Sequence, residues 1–206
     1  MHTLTSLILL ICSLVSPLLL YRQSAKLSEQ SKNIAGIICL CSAFIAGAAL
    51  LPLFFDDTGA DSQVFLLMLE NLLQYLALPM LCSAYLSISL GKSFSRATWG
   101  RWSLVLLAIF ELCRRAEVGA YYSATIAIGT SLLFTLSLFY QLTDYSLTSL
   151  LSRFVAALSY AAAALLFADN YSVLQTADAN YYNLSLSLSL ILFSLILAKK
   201  LTLTKD

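Results

Sequence analysis

Seven apolar stretches divide the chain from end to end, each near the roughly 20 residues that an α-helix needs to cross the hydrocarbon core of a bilayer. They cover residues 3–21, 33–55, 63–90, 102–118, 120–142, 150–168 and 181–198. Charged and turn-forming residues separate them, and no loop is long enough to form a soluble domain. Of the 206 residues, 60% are hydrophobic and only 11% charged, at a mean hydropathy of +0.84, whereas a soluble domain carries about 25% charged residues. A water-soluble fold would lack the polar surface to cover itself. The pattern predicts an all-α polytopic membrane protein, a single seven-helix transmembrane domain over residues 1–206. The Leu-Ser alternation after Asn183 has the period of a strand, but runs such as LILL and PLLL belong to helices rather than barrel strands.

Basic residues set the expected orientation, because Lys and Arg beside membrane spans favour the cytoplasmic side. Arg22, Lys26, Lys32, Lys92, Arg96, Arg101, Arg153, Lys199, Lys200 and Lys205, ten of the twelve, fall in alternate segments on one side. The opposite segments hold Asp56, Asp57, Asp61, Asp169 and Asp178. This asymmetry predicts an external N-terminus and a cytoplasmic C-terminus. The first span lacks a basic n-region and is followed by Arg22 and Lys26, so it reads as a retained helix rather than a signal peptide. Aromatic residues fall at both expected interfaces: Tyr21, Trp99, Trp102, Tyr140 and Tyr145 at the inner one, Phe54, Phe55, Tyr121, Tyr122, Tyr171, Tyr181 and Tyr182 at the outer one. Short loops suggest a bacterial cytoplasmic (inner) membrane.

Small residues mark places for close helix approach: Ala43 and Gly47, then Ser123, Ala127 and Ser131, then Ala157 with Ala161 to Ala164. Pro17 and Pro79 inside the first and third spans predict kinks. No internal repeat argues for a transporter built on inverted halves.

Several chemistries are excluded early. A net charge of +1 gives no basis for a nucleic-acid partner. Cys12, Cys39, Cys41, Cys82 and Cys113 lack zinc-site or disulfide spacing and read as small packing residues. His2 is the only histidine, so no metal or cofactor is expected in the interior. Seven helices with an external N-terminus resemble the microbial rhodopsins in architecture, but no lysine between Tyr181 and Ala198 could hold a retinal Schiff base.

Against this apolar background, Glu70, Glu111, Arg114 and Arg115 stand inside spans, where an ionisable residue is costly and marks a candidate functional site. A fourth helix starting at Trp102 has to run past both arginines to reach spanning length. At a rise of about 1.5 Å per residue, Glu70 and the arginine pair both lie about 20 Å from the inner side. Arg114 and Arg115 are i,i+3 and i,i+4 partners of Glu111. Gln63, Glu70 and Gln74 form a stripe with Asn71 beside it, while Asn180, Asn183 and Ser187 share a face of the last helix. Glu117 reads as an interfacial charge. Glu70, Asn71, Gln74, Glu111, Arg114, Arg115, Tyr122 and Asn183 are therefore expected to line an outward-facing polar pocket for a small anionic or polar ligand, in a protein that binds, senses or transports it. Two acids and two arginines also suit a purely structural network. Two other readings are an intramembrane enzyme using its paired glutamates on a lipid or headgroup substrate, and a structural subunit of a membrane complex with a protein partner.

Overall fold

The computed structural model describes residues 2–24, 29–53, 60–92, 94–140, 147–168 and 178–203, and within them it is helical apart from short turns, with no strand. The helices are α1 (His2–Ser24), α2 (Glu29–Leu50), α3 (Ala60–Leu72), α4 (Leu78–Ser89), α5 (Arg96–Arg115), α6 (Gly119–Phe139), α7 (Leu147–Ala162) and α8 (Ala179–Leu203). A π-helical segment, Leu73–Ala77, joins α3 to α4 in one continuous rod, and a second, Ala163–Phe167, extends α7. Pro79 follows the first of these one residue on, after Leu78. Proline cannot donate its backbone hydrogen bond, and a wider π turn is one way for a helix to absorb that loss.

Among the described residues, five stretches are long and apolar enough to cross a membrane: Asn33–Leu50, Ser62–Ser89, Gly119–Phe139, Leu147–Phe167 and Ala179–Ile196. α1 adds a shorter apolar stretch, Thr3–Leu19. The burial pattern of α1 is inside out relative to a soluble helix. It exposes Leu4, Leu7, Ile11, Leu14 and Leu18 and buries Thr5, Ser6, Ser13 and Ser16. α8 repeats this, exposing Leu184, Leu188 and Leu195 while burying Asn183, Ser187, Ser189 and Ser194. Such faces suit a hydrocarbon surround, where small polar side chains hold helices together.

Neighbouring helices close into a ring in the order α1, α2, α4, α6, α7, α8 and back to α1. The interior of the ring is an aromatic plug. Tyr85 stacks on Phe193 at 3.7 Å between ring centroids, Phe134 stacks on Tyr160 at 4.5 Å, and all four rings are almost completely buried. Cys82 donates to the Tyr160 hydroxyl at 3.3 Å, which satisfies a polar tip in the middle of the core. α5 stands outside the ring, against the first π segment and α6.

The boundaries of α5 differ from expectation. It begins six residues before Trp102, because the Ser95 hydroxyl caps it by accepting from the Thr98 N–H at 3.2 Å. A helix of 20 residues then ends at Arg115 instead of running past it. Glu117 (φ 59°) occupies the left-handed position of a closing motif in which Val118 N–H bonds Cys113 C=O and Glu117 N–H bonds Arg114 C=O. Gly91 (φ 64°) ends α4 in the same way. The small residues of α2 also behave differently from the packing prediction: Ala43 is exposed, and Ile34, Ile38, Cys41, Ile45 and Ala49 form the packed face. Ser123, Ala127, Ala157, Ala163 and Ala164 are buried.

The side chains of Arg22, Lys26, Lys32, Asp56, Asp57, Asp61, Asp169, Lys199, Lys200 and Lys205, which carry most of the charge asymmetry, lie outside the described residues. So do those of Asn170, Tyr21, Phe54, Phe55, Tyr145 and Tyr171.

Candidate functional site

Two contacts set the register between the third rod and α5. Trp102 Nε1 donates to Ser83 Oγ at 3.3 Å, and eight residues further along α5 the ring of Phe110 stacks on Tyr75, eight residues back along the rod, at 4.5 Å. The two helices run antiparallel, so continuing the register brings Gln74 level with Glu111, Asn71 level with Arg114 and Glu70 level with Arg115. The six residues therefore occupy matching heights at one end of the hairpin. Tyr122 joins them from α6, its ring 5.4 Å from that of Tyr75. The π segment contains both Gln74 and Tyr75, so the local widening of the helix falls where these groups gather.

Within α5 one carboxylate holds both guanidiniums. Arg114 binds Glu111 through two parallel hydrogen bonds of 2.9 Å, from Nε to Oε2 and from Nη2 to Oε1. Arg115 Nε donates to Glu111 Oε1 at 2.8 Å. The set has two positive charges and one negative. The arginine side chains are 64% and 75% exposed and that of Glu111 38% exposed, so the guanidiniums are oriented by the carboxylate but are not enclosed. Both also lie in the last turn of α5, where cations complement the partial negative charge of a helix C-terminus. Glu70 is exposed, Asn71 and Gln74 are half-buried, and the Tyr122 hydroxyl is buried without a hydrogen-bond partner among the described residues.

Asn183 lies elsewhere. Its Nδ2 donates to Ser6 Oγ at 3.3 Å, and the neighbouring Asn180 Oδ1 accepts from Thr5 Oγ1 at 3.1 Å. Further down the same pair of helices the Ser16 and Ser194 hydroxyls bond one another. The face shared by Asn180, Asn183 and Ser187 is thus turned to α1 and forms a polar seam between the first and last helices. The structure does not bring it to the α3, α5 and α6 cluster.

Sequence reasoning counted Arg153 only as a loop charge. It is 8% exposed, and its Nη1 donates to the Leu138 carbonyl at 3.2 Å, which caps the end of α6 with a cation. Its position as the fourth residue of the apolar run 150–168, just before Val155, Ala156 and Ala157, was the available signal. Among the described residues no group of three or more His, Cys, Asp or Glu could hold a metal ion. Comparison of the chain with protein-family models, with curated proteins and with solved structures gives no match.

Proposed function

We propose that the chain is a seven-span protein of the bacterial cytoplasmic membrane, N-terminus outside and C-terminus cytoplasmic, which binds a small anionic or polar molecule at the outer end of α3, α5 and α6 and serves in its sensing or transport. The observation that carries this reading is the double fork: one carboxylate, Glu111, orients two exposed guanidiniums at once. An oriented arginine fork matches the planar oxygens of a carboxylate or phosphate. The antiparallel register adds Glu70, Asn71 and Gln74 at the same height, and these would discriminate among ligands by hydrogen bonding.

The test uses purified protein in neutral detergent with phosphate, sulfate and small carboxylates as probes. Stabilisation of wild type by one of these anions, lost in Arg115→Ala and Glu70→Gln with unchanged melting temperature of the free proteins, supports the reading. Equal stabilisation of wild type and variants rejects it. Orientation is read separately in intact cells. In a cysteine-free background, Val118→Cys is expected to react with an impermeant maleimide and Lys92→Cys is not.

One observation favours a second reading. α5 stands outside the ring with Leu104, Leu112 and both arginines exposed, a surface suited to a neighbouring membrane subunit. Stoichiometric co-purification of one defined protein, abolished by Leu112→Arg, would support that role over a ligand site.

A further inference from the structure

A groove of about 540 Å³ opens between α2 and α5, at the opposite end of α5 from the arginine pair. Leu40 and Phe44 of α2, Leu76 and Met80 of the third rod and Trp99 of α5 give it apolar walls. Gly36 and Gly100 also line it, and a Cβ at either would meet nothing within 4 Å, so the missing side chains contribute to its width. The volume falls among the roughly 300–1,000 Å³ of sites that enclose small molecules.

The groove has a cationic end. Arg96 Nε donates to Asn33 Oδ1 at 2.7 Å, a bond that ties the start of α5 to α2 and fixes the guanidinium at the mouth. Of the five N–H donors of a guanidinium, one is used in this way, and the others have no partner among the described residues. Lys92 and Arg101, both exposed, stand on the same end of the hairpin. The carboxylates whose side chains are described, Glu70, Glu111, Glu117 and Asp178, all belong to the other end.

An apolar channel that terminates in a guanidinium with donors to spare among the described residues is complementary to an amphiphile with a negative head. We propose that the groove holds one anionic glycerophospholipid, with an acyl chain between α2 and α5 and its phosphate on Arg96, assisted by Lys92. The surrounding bilayer is as apolar as the groove, so burial of the chain supplies little preference. Selectivity comes from the charge-assisted bonds to the headgroup, as in other basic pockets between membrane helices. The site is independent of the anion site at Arg114 and Arg115 and does not rest on that reading.

The experiment is native mass spectrometry and thermal unfolding of the full chain in neutral detergent, with phosphatidylglycerol or phosphatidylcholine of identical chains. Wild type is expected to retain one phosphatidylglycerol about tenfold more tightly than phosphatidylcholine, equivalent to ~1.4 kcal/mol. Arg96→Gln reduces phosphatidylglycerol to the phosphatidylcholine level. Gly100→Leu fills the groove and removes both adducts while leaving the lipid-free melting temperature unchanged, so the test stands even if loss of the Arg96–Asn33 bond impairs folding of the first variant. Equal retention of the two lipids by wild type, or selectivity that survives either substitution, overturns the proposal.

Discussion

The ring of Tyr75 lies stacked on that of Phe110, with centroids 4.5 Å apart, and this contact anchors α5 to the π-helical part of the third rod. Tyr75 is 1% exposed and its ring also stacks on that of Tyr122, so a single side chain joins three helices. Replacing it leaves a cavity that helices on three sides cannot all close. Tyr75→Ala is expected to cost about 3–4 kcal/mol, within the range for deleting a buried aromatic side chain. Denaturant unfolding in detergent measures this, and a loss below about 1 kcal/mol would show that α5 is held by other contacts.

Glu111 tests whether its ion pairs serve the fold or a ligand. Exposed i,i+3 and i,i+4 pairs contribute only about 0.3–0.5 kcal/mol each. Glu111→Gln is therefore expected to leave the melting temperature nearly unchanged while releasing both guanidiniums from their fixed orientation. The proposed anion site would then lose its geometry, and anion-dependent stabilisation should fall. A large drop in the melting temperature of the free protein would instead assign Glu111 a structural role.

Asn183 supplies the converse test. Its hydrogen bond to Ser6 belongs to the α1–α8 seam, and polar contacts of this kind in membranes average about 0.6 kcal/mol and reach about 2. Asn183→Ala should lower stability by an amount in that range and leave anion-dependent stabilisation intact. Loss of the ligand effect in this variant would return Asn183 to the binding site.

The membrane-helical class was legible because hydrocarbon imposes a length and a composition that few other folds share; among the described residues, five of the predicted runs coincide with helices long and apolar enough to span. Helix rise alone predicts that Glu70 and the arginine pair share a height, and the Trp102–Ser83 and Tyr75–Phe110 contacts set an antiparallel register compatible with it. The ends of α5 were not. Apolarity locates the middle of a helix, whereas its start depended on the Ser95 cap and its stop on a left-handed Glu117, both local backbone events that a hydropathy pattern does not record. Rotation was also invisible. Asn183 and Tyr122 were assigned to one cluster by depth, yet Asn183 faces α1 while Tyr122 stacks on Tyr75, because depth says nothing about which neighbour a helix face meets. The arginine exposures follow from the position of α5 outside the ring, a packing order that no sequence period encodes.

Glu117 offers a prediction about the backbone itself. Its φ of 59° lies where a side chain other than glycine is strained by about 1–2 kcal/mol, and glycine is the usual residue at this position of a helix-closing motif, as Gly91 shows at the end of α4. Gly119 comes two residues too late to take that role. Glu117→Gly relieves the strain but adds about 0.4–1 kcal/mol of unfolded-state entropy, leaving a net stabilisation of roughly 0.5–1 kcal/mol. For a chain of this size that corresponds to a rise in melting temperature of about 1–4 °C. Glu117→Val, β-branched and poorly suited to the left-handed region, should lower it. A fall in melting temperature with glycine equal to that with valine would mean that the carboxylate, and not the backbone conformation, is what position 117 contributes.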